Sequence, residues 1–149
     1  MSFTDQINND IKQAMLAKDS VSLNALRSIK SALLLAKTEA GSGELTDETV
    51  LGILQKMVKQ RKESIAVFEQ QNRTDLAEEE KAQLNVVMKY LPKQLDESEI
   101  KAIVQTVVNE SGASGIKDMG KVMGLVTKQI AGRADNKTVS AIIKELLGA

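Results

Sequence analysis

The sequence predicts an all-α protein, and three observations carry that prediction. Apolar residues make up 42% of the chain, yet Phe3, Phe68 and Tyr90 are its only aromatics, so a core must be built from Leu, Ile, Val, Met and Ala, a palette suited to helix-on-helix packing. One proline, Pro92, interrupts the whole sequence. The runs of Val, Thr and Tyr alternating with polar residues that announce strands are missing. At 149 residues the chain can bury about two-thirds of the surface its unfolded form exposes, enough for a real core.

The first helix is expected after Thr4, read as its cap, with Ile7, Ile11, Ala14 and Met15 on one face and an end near Lys18-Asp19. Ser20 is the expected cap of the second, in which Leu23, Leu26, Ile29, Lys30, Leu33 and Leu34 recur at helical spacing until Gly41-Ser42-Gly43. Thr46-Asp47-Glu48 opens a longer third helix with acidic residues where the helix dipole favours them. Its apolar stripe is Leu51, Leu54, Met57, Val58, Ile65 and Phe68. The fourth begins near Thr74-Asp75 and runs through Leu76, Leu84, Val87 and Met88 to Tyr90, because Pro92 disfavours helical geometry in Leu91. Leu91 to Leu95 is the expected boundary between an N-terminal helical domain, 1–91, of about four helices and a small C-terminal three-helix domain, 92–149.

Beyond that boundary Asp96-Glu97-Ser98-Glu99 has the form of a capping box and starts a helix carrying Ile100, Ile103, Val104, Val107 and Val108, which Gly112 ends. Two short helices follow, about 117–130 and 136–147, separated by Gly132-Arg133-Ala134-Asp135. The Glu78-Glu79-Glu80-Lys81 run reads as a solvated helix face.

Zero cysteines and zero histidines remove disulfides, thiolate zinc sites, cysteine nucleophiles and the usual general base, so no catalytic residue, metal or cofactor is expected. No membrane-spanning stretch and no leader-like N-terminus stand out, which places the expectation in the cytoplasm. Twenty basic residues balance twenty acidic ones, but from Gly112 to Lys144 six basic residues face two acidic ones, a local surplus of four.

Three constellations invite a function. In Gln60-Arg61-Lys62-Glu63-Ser64, Arg61 and Lys62 could grip a phosphate; Arg61, set between Val58 and Ile65, reads more readily as a structural partner of Asp75 or Glu80. Gly120 and Gly124, at i and i+4 beside Lys117 and Lys121, imply close approach to that helix face, either by another helix, which is favoured, or by a sugar-phosphate backbone. Gly132 to Lys137 reads as a capped turn whose Arg133 and Lys137 are solvated cations or phosphate contacts.

Those stretches, together with Arg73-Thr74-Asp75-Leu76, Tyr90 to Leu95, Gly112-Ala113-Ser114 and Lys117-Asp118-Met119-Gly120-Lys121-Val122-Met123-Gly124, resemble the YqeY-like, or GatB/YqeY domain, proteins over nearly the full length. Asn136 departs from the glycine frequent there, in a turn that tolerates either. The resemblance implies a helical domain and a small helical tail similar to that of the B subunit of the glutamine-dependent tRNA amidotransferase. It implies a tRNA-binding accessory module without catalysis of its own, with Lys117, Lys121, Arg133 and Lys137 facing RNA and Gly120 and Gly124 permitting close approach. Arg61, Lys62 and Arg73 form a secondary set. The alternatives it leaves are a protein-interaction module on a tRNA synthetase or amidotransferase subunit, and a carbon-nitrogen ligase association with glutamine as amide donor.

Overall fold

The computed structural model describes residues 2–39, 41 and 44–148; Met1, and Ser42 and Gly43 of the expected glycine break, lie outside them. Among the described residues there are seven α-helices and no strand. They are α1 (Phe3–Leu16), α2 (Ser20–Glu39), α3 (Asp47–Gln70), α4 (Thr74–Met88), α5 (Glu97–Ser111), α6 (Met119–Ile130) and α7 (Asn136–Leu146), with a short 3-10 turn, Ile116–Asp118, ahead of α6. The chain divides into two compact units, Met1–Leu91 and Pro92–Ala149.

Local chemistry sets the helix starts, and two differ from expectation. Ser2, not Thr4, caps α1: its hydroxyl accepts from the Asp5 N–H at 3.1 Å while the Asp5 carboxylate accepts from the Ser2 N–H, a reciprocal box. Asp19, not Ser20, caps α2, accepting from the Ser22 N–H at 3.1 Å and its hydroxyl at 2.6 Å. Those bonds, the hydroxyl's first, hold the Asp19 carboxyl below its ordinary pKa. Thr46 caps α3 and Asp96 caps α5 as expected. Gly112, at φ 70°, ends α5 in the left-handed conformation that glycine adopts without a Cβ penalty.

In the first unit Ile7, Leu26, Ile29, Leu54, Val58 and Val87 form an aliphatic core, on which Phe3 and Tyr90 pack from the edge. Val50, absent from the expected stripe, is buried there too, whereas Met15, expected inside, is 55% exposed, since the last turn of α1 buries Ala14 instead. Leu34 is exposed because α2 turns its buried side toward α1 and α4 through Ala25, Leu26, Ile29 and Leu33.

Polar ties register the helices. Arg61, with 12% of its side chain exposed, donates from Nη1 to Glu80 at 3.1 Å and to Gln83 at 2.8 Å, joining α3 to α4. Lys81 reaches Glu69 of α3 at 2.9 Å as well as Glu78 at 3.3 Å. The acidic run is thus not wholly a solvated face: Glu80 and Lys81 tie α4 to α3. Tyr90 donates its hydroxyl to Asp10 at 2.6 Å and meets Phe3 edge-on at 5.8 Å, fastening α1 to the end of α4. Burial, reinforced by that hydrogen bond, pushes the Tyr90 hydroxyl well above the ordinary tyrosine pKa.

In the second unit Ile100, Val104, Val107, Val122, Val126, Ile130, Val139, Ile142 and Ile143 close a core shared by α5, α6 and α7. The segment entering it is stitched to the α6–α7 turn: the Leu95 N–H donates to the Arg133 carbonyl at 2.8 Å, and the Gln94 amide donates to the Gly132 carbonyl at 2.9 Å.

Tyr90→Phe keeps the ring contact and deletes the bond to Asp10. It is expected to lower the unfolding free energy by about 1 kcal/mol in urea titration. Because the folded-state pKa of Tyr90 is raised, its contribution is complete below the ordinary tyrosine pKa of about 10 and is lost as pH rises above it. The wild-type chain should therefore lose stability above about pH 10 by a component that Tyr90→Phe lacks.

Candidate functional site

The second unit turns one face of α6 inward and leaves the other open. Val122, Val126 and Ile130, spaced by four, are buried against α5 and α7. The opposite side carries Gly120, Lys121, Gly124, Leu125 and Lys128, all exposed. Lys121 and Lys128 stand seven residues apart on one side, two turns along the helix.

A Cβ added at Gly120 or Gly124 would meet nothing within 4 Å. The favoured expectation of tight helix packing therefore finds no occupant among the described residues of the second unit. Gly120 and Gly124 have ordinary helical backbones, so no turn requires them either. Beside them Ile116 is 47% and Leu125 39% exposed, the large apolar side chains of the second unit that solvent reaches most.

The expected cations are distributed unevenly. Lys117 sits in the 3-10 turn rather than in a continuous helix from 117, because Gly115, in an extended conformation, starts a tighter turn that the Asp118 N–H closes onto the Gly115 carbonyl. The Asp118 carboxylate accepts from the Ser114 N–H at 3.1 Å and so turns back onto its own loop. Lys121 makes a long 3.4 Å contact to the Ser111 carbonyl at the end of α5, leaving donors free for solvent. Arg133 bends back to the Gln129 carbonyl at 2.6 Å, and Lys137 lies exposed in the first turn of α7. Most of α6, about 18 Å long for its 12 residues, separates Lys117 and Lys121 from Arg133 and Lys137, so the four do not gather into one cluster.

Lys128, Leu125 and Ile116 complete the open face and were not among the expected site residues; the i, i+4, i+7 spacing of Lys121, Leu125 and Lys128 is the sequence signal that marks them. In the secondary set, Arg61 is occupied by Glu80 and Gln83, and Arg73 pairs with Asp75 at 3.3 Å, first through a hydrogen bond that raises its pKa and lowers that of Asp75. Lys62 is exposed on α3. Among the described residues no three acidic side chains gather as a metal site, and no helix is long and apolar enough to cross a membrane.

An all-helical chain of two compact units, carrying an open, basic, glycine-notched helix face, is the class of protein that these features define. The chain belongs to the YqeY-like protein family, which it matches over residues 4–147. Its relatives include proteins named altered inheritance of mitochondria protein 41, mitochondrial. That of Pyrenophora tritici-repentis is 36% identical over 148 residues, covering 97% of this chain and 80% of its own length. That of Clavispora lusitaniae is 38% identical over 124 residues, covering 81% and 69%. That of Vanderwaltozyma polyspora is 29% identical over 120 residues, covering 76% of this chain and 64%, less than two-thirds, of its own.

These relatives correct two expectations. Their name speaks of mitochondrial inheritance and of neither tRNA nor an amidotransferase, so the expected tRNA-handling module, its synthetase or amidotransferase partner and its carbon-nitrogen ligase association are not retained. The same name places the relatives in mitochondria, which overturns the cytoplasmic placement. The physical basis of the first error is plain: a surplus of four charges and two glycines fit any polyanionic or helical partner equally well.

Because nothing blocks a methyl group at either position, Gly120→Ala and Gly124→Ala should each stabilise the free chain by roughly 0.5–1 kcal/mol. Urea unfolding checks this as a higher midpoint with an unchanged slope.

Proposed function

We propose that this protein is a helical binding module whose second unit docks a helix of a partner protein on the outward face of α6. One observation carries it: two glycines sit a turn apart on a short helix, Gly120 in its first turn and Gly124 in its middle, where glycine is less favourable than alanine by about 1 kcal/mol, and among the described residues nothing lies close enough to require either. A notch of that kind lets a second helix approach more closely than side chains would permit, within the usual 8–10 Å between packed axes. Ile116 and Leu125 supply the apolar contact at its edge, as in other recognition of helices by apolar surfaces.

We take the two units as separate domains, of four helices and of three, with the first as a scaffold held by the Arg61 and Tyr90 ties and the second as the docking part. The full-length similarity to a family found in mitochondrially named proteins supports a shared two-part design.

The test is a photocrosslinking amino acid in place of Leu125, with one in place of Gln105, exposed on α5, as control. The expected result is a discrete protein adduct from position 125 only. Once identified and purified, that partner should bind the native chain and bind Gly124→Trp at least about tenfold more weakly, or about 1.4 kcal/mol. Equal adducts from both positions, or unchanged affinity for a folded Gly124→Trp chain, would overturn the proposal.

A further inference from the structure

We infer that the helix docked on α6 is an acidic amphipathic one, with small residues along its contact seam and carboxylates flanking that seam at seven-residue spacing. This rests on the docking proposal above and names the chemistry of its partner.

The charge on the open face has one sign. Lys117, Lys121 and Lys128 are exposed around it, and none of the three is in an ion pair among the described residues. The single acidic residue between Gly112 and Ala134 is Asp118, whose carboxylate is engaged by the Ser114 N–H and half-buried. Lys81 holds Glu69 and Glu78, and Lys101 reaches Glu145 at 3.5 Å, but most other lysines, Lys59, Lys62 and Lys137 among them, are also outside the ion pairs, so what sets this stretch apart is its scarcity of acidic residues. The face is therefore complementary to carboxylates, and none pairs with these three lysines among the described residues.

The spacing restricts how those carboxylates are carried. Lys121 and Lys128 lie two turns apart, about 10.5 Å along the axis, with Gly124 and Leu125 between them. A helix aligned with α6 places residues i and i+7 at that same interval, while its own small side chains enter the notch at Gly120 and Gly124. An extended or disordered acidic segment could neutralise the lysines, but it has no use for the notch.

Other occupants fit less well. A second copy paired symmetrically through this face would set Lys121 and Lys128 against the same lysines, with no acidic residue in 119–134 to offset them. A lipid surface needs a broad apolar face to insert, and the apolar stripe of α6 is already buried in its own core, leaving Ile116 and Leu125.

The experiment titrates the full chain with a synthetic helical peptide, labelled at one end, that carries alanines along one seam and glutamates flanking it at i and i+7. A control peptide has the same composition with its glutamates moved to the opposite face. The first peptide is expected to bind in a salt-sensitive manner, with Lys121→Glu/Lys128→Glu weakening it at least about tenfold. A lysine-for-glutamate version should regain affinity for that charge-reversed chain. Equal binding of the two glutamate peptides, no binding of either, stronger binding to phosphatidylglycerol vesicles or polyphosphate, or self-association dependent on Lys121 would each overturn the inference. Applying Lys121→Glu/Lys128→Glu to the crosslinked cellular partner separates the two proposals. Loss of affinity with Gly124→Trp but not with charge reversal defeats the acidic-helix inference and leaves the docking proposal standing.

Discussion

The burial of Val122, Val126 and Ile130 under α5 and α7 decides which way α6 turns its other side. Valine and isoleucine at four-residue spacing make a narrow apolar stripe, and desolvating it is the dominant favourable term available to so small a unit. Once that stripe is committed inward, Gly120, Gly124, Lys121 and Lys128 have no freedom to turn in with it. The open face is the geometric complement of the core, and the stitching of Gln94 and Leu95 onto the Gly132–Arg133 turn fixes the far end of the same helix.

The first unit follows a different logic. Its aliphatic core is crossed at the edges by polar ties, Arg61 to Glu80 and Gln83 and Tyr90 to Asp10, which fix the register of α3 on α4 and of α1 on α4. Leucines and valines alone would accept several sliding arrangements at similar energy, whereas a partly buried guanidinium left unpaired is costly. Polar ties thus specify the packing of the first unit, while the second leaves one helix face open among the described residues.

Helix number and class were legible because the apolar periodicity, Pro92 and the glycines at 112 and 132 are strong local signals. Cap identities were less so: Ser2 competes with Thr4, and Asp19 with Ser20, within two residues of each other, and only the side-chain geometry separates them. Met15 and Leu34 fit the helical stripe yet lie exposed, since the stripe says which face is apolar but not how far a neighbour covers it. At the candidate site, Gly120, Gly124 and Lys121 could be read from spacing. The emptiness of the space before them, and the distance of Arg133 and Lys137 from Lys117 and Lys121, depend on the fold. Charge and glycine pattern alone could not choose between a phosphate backbone and a protein helix.

The chain has no native cysteine, so a single thiol reports on one position without background. Gly124→Cys and Val126→Cys chains, reacted with a water-soluble thiol reagent before and after addition of the crosslinked partner, test the central claim most directly. The account predicts that the thiol at 124 reacts at the rate of a free cysteine in the isolated chain and is protected in the complex, while that at 126 is inert throughout. A thiol at 124 that is inert in the isolated chain, or equally reactive with the partner bound, would contradict it.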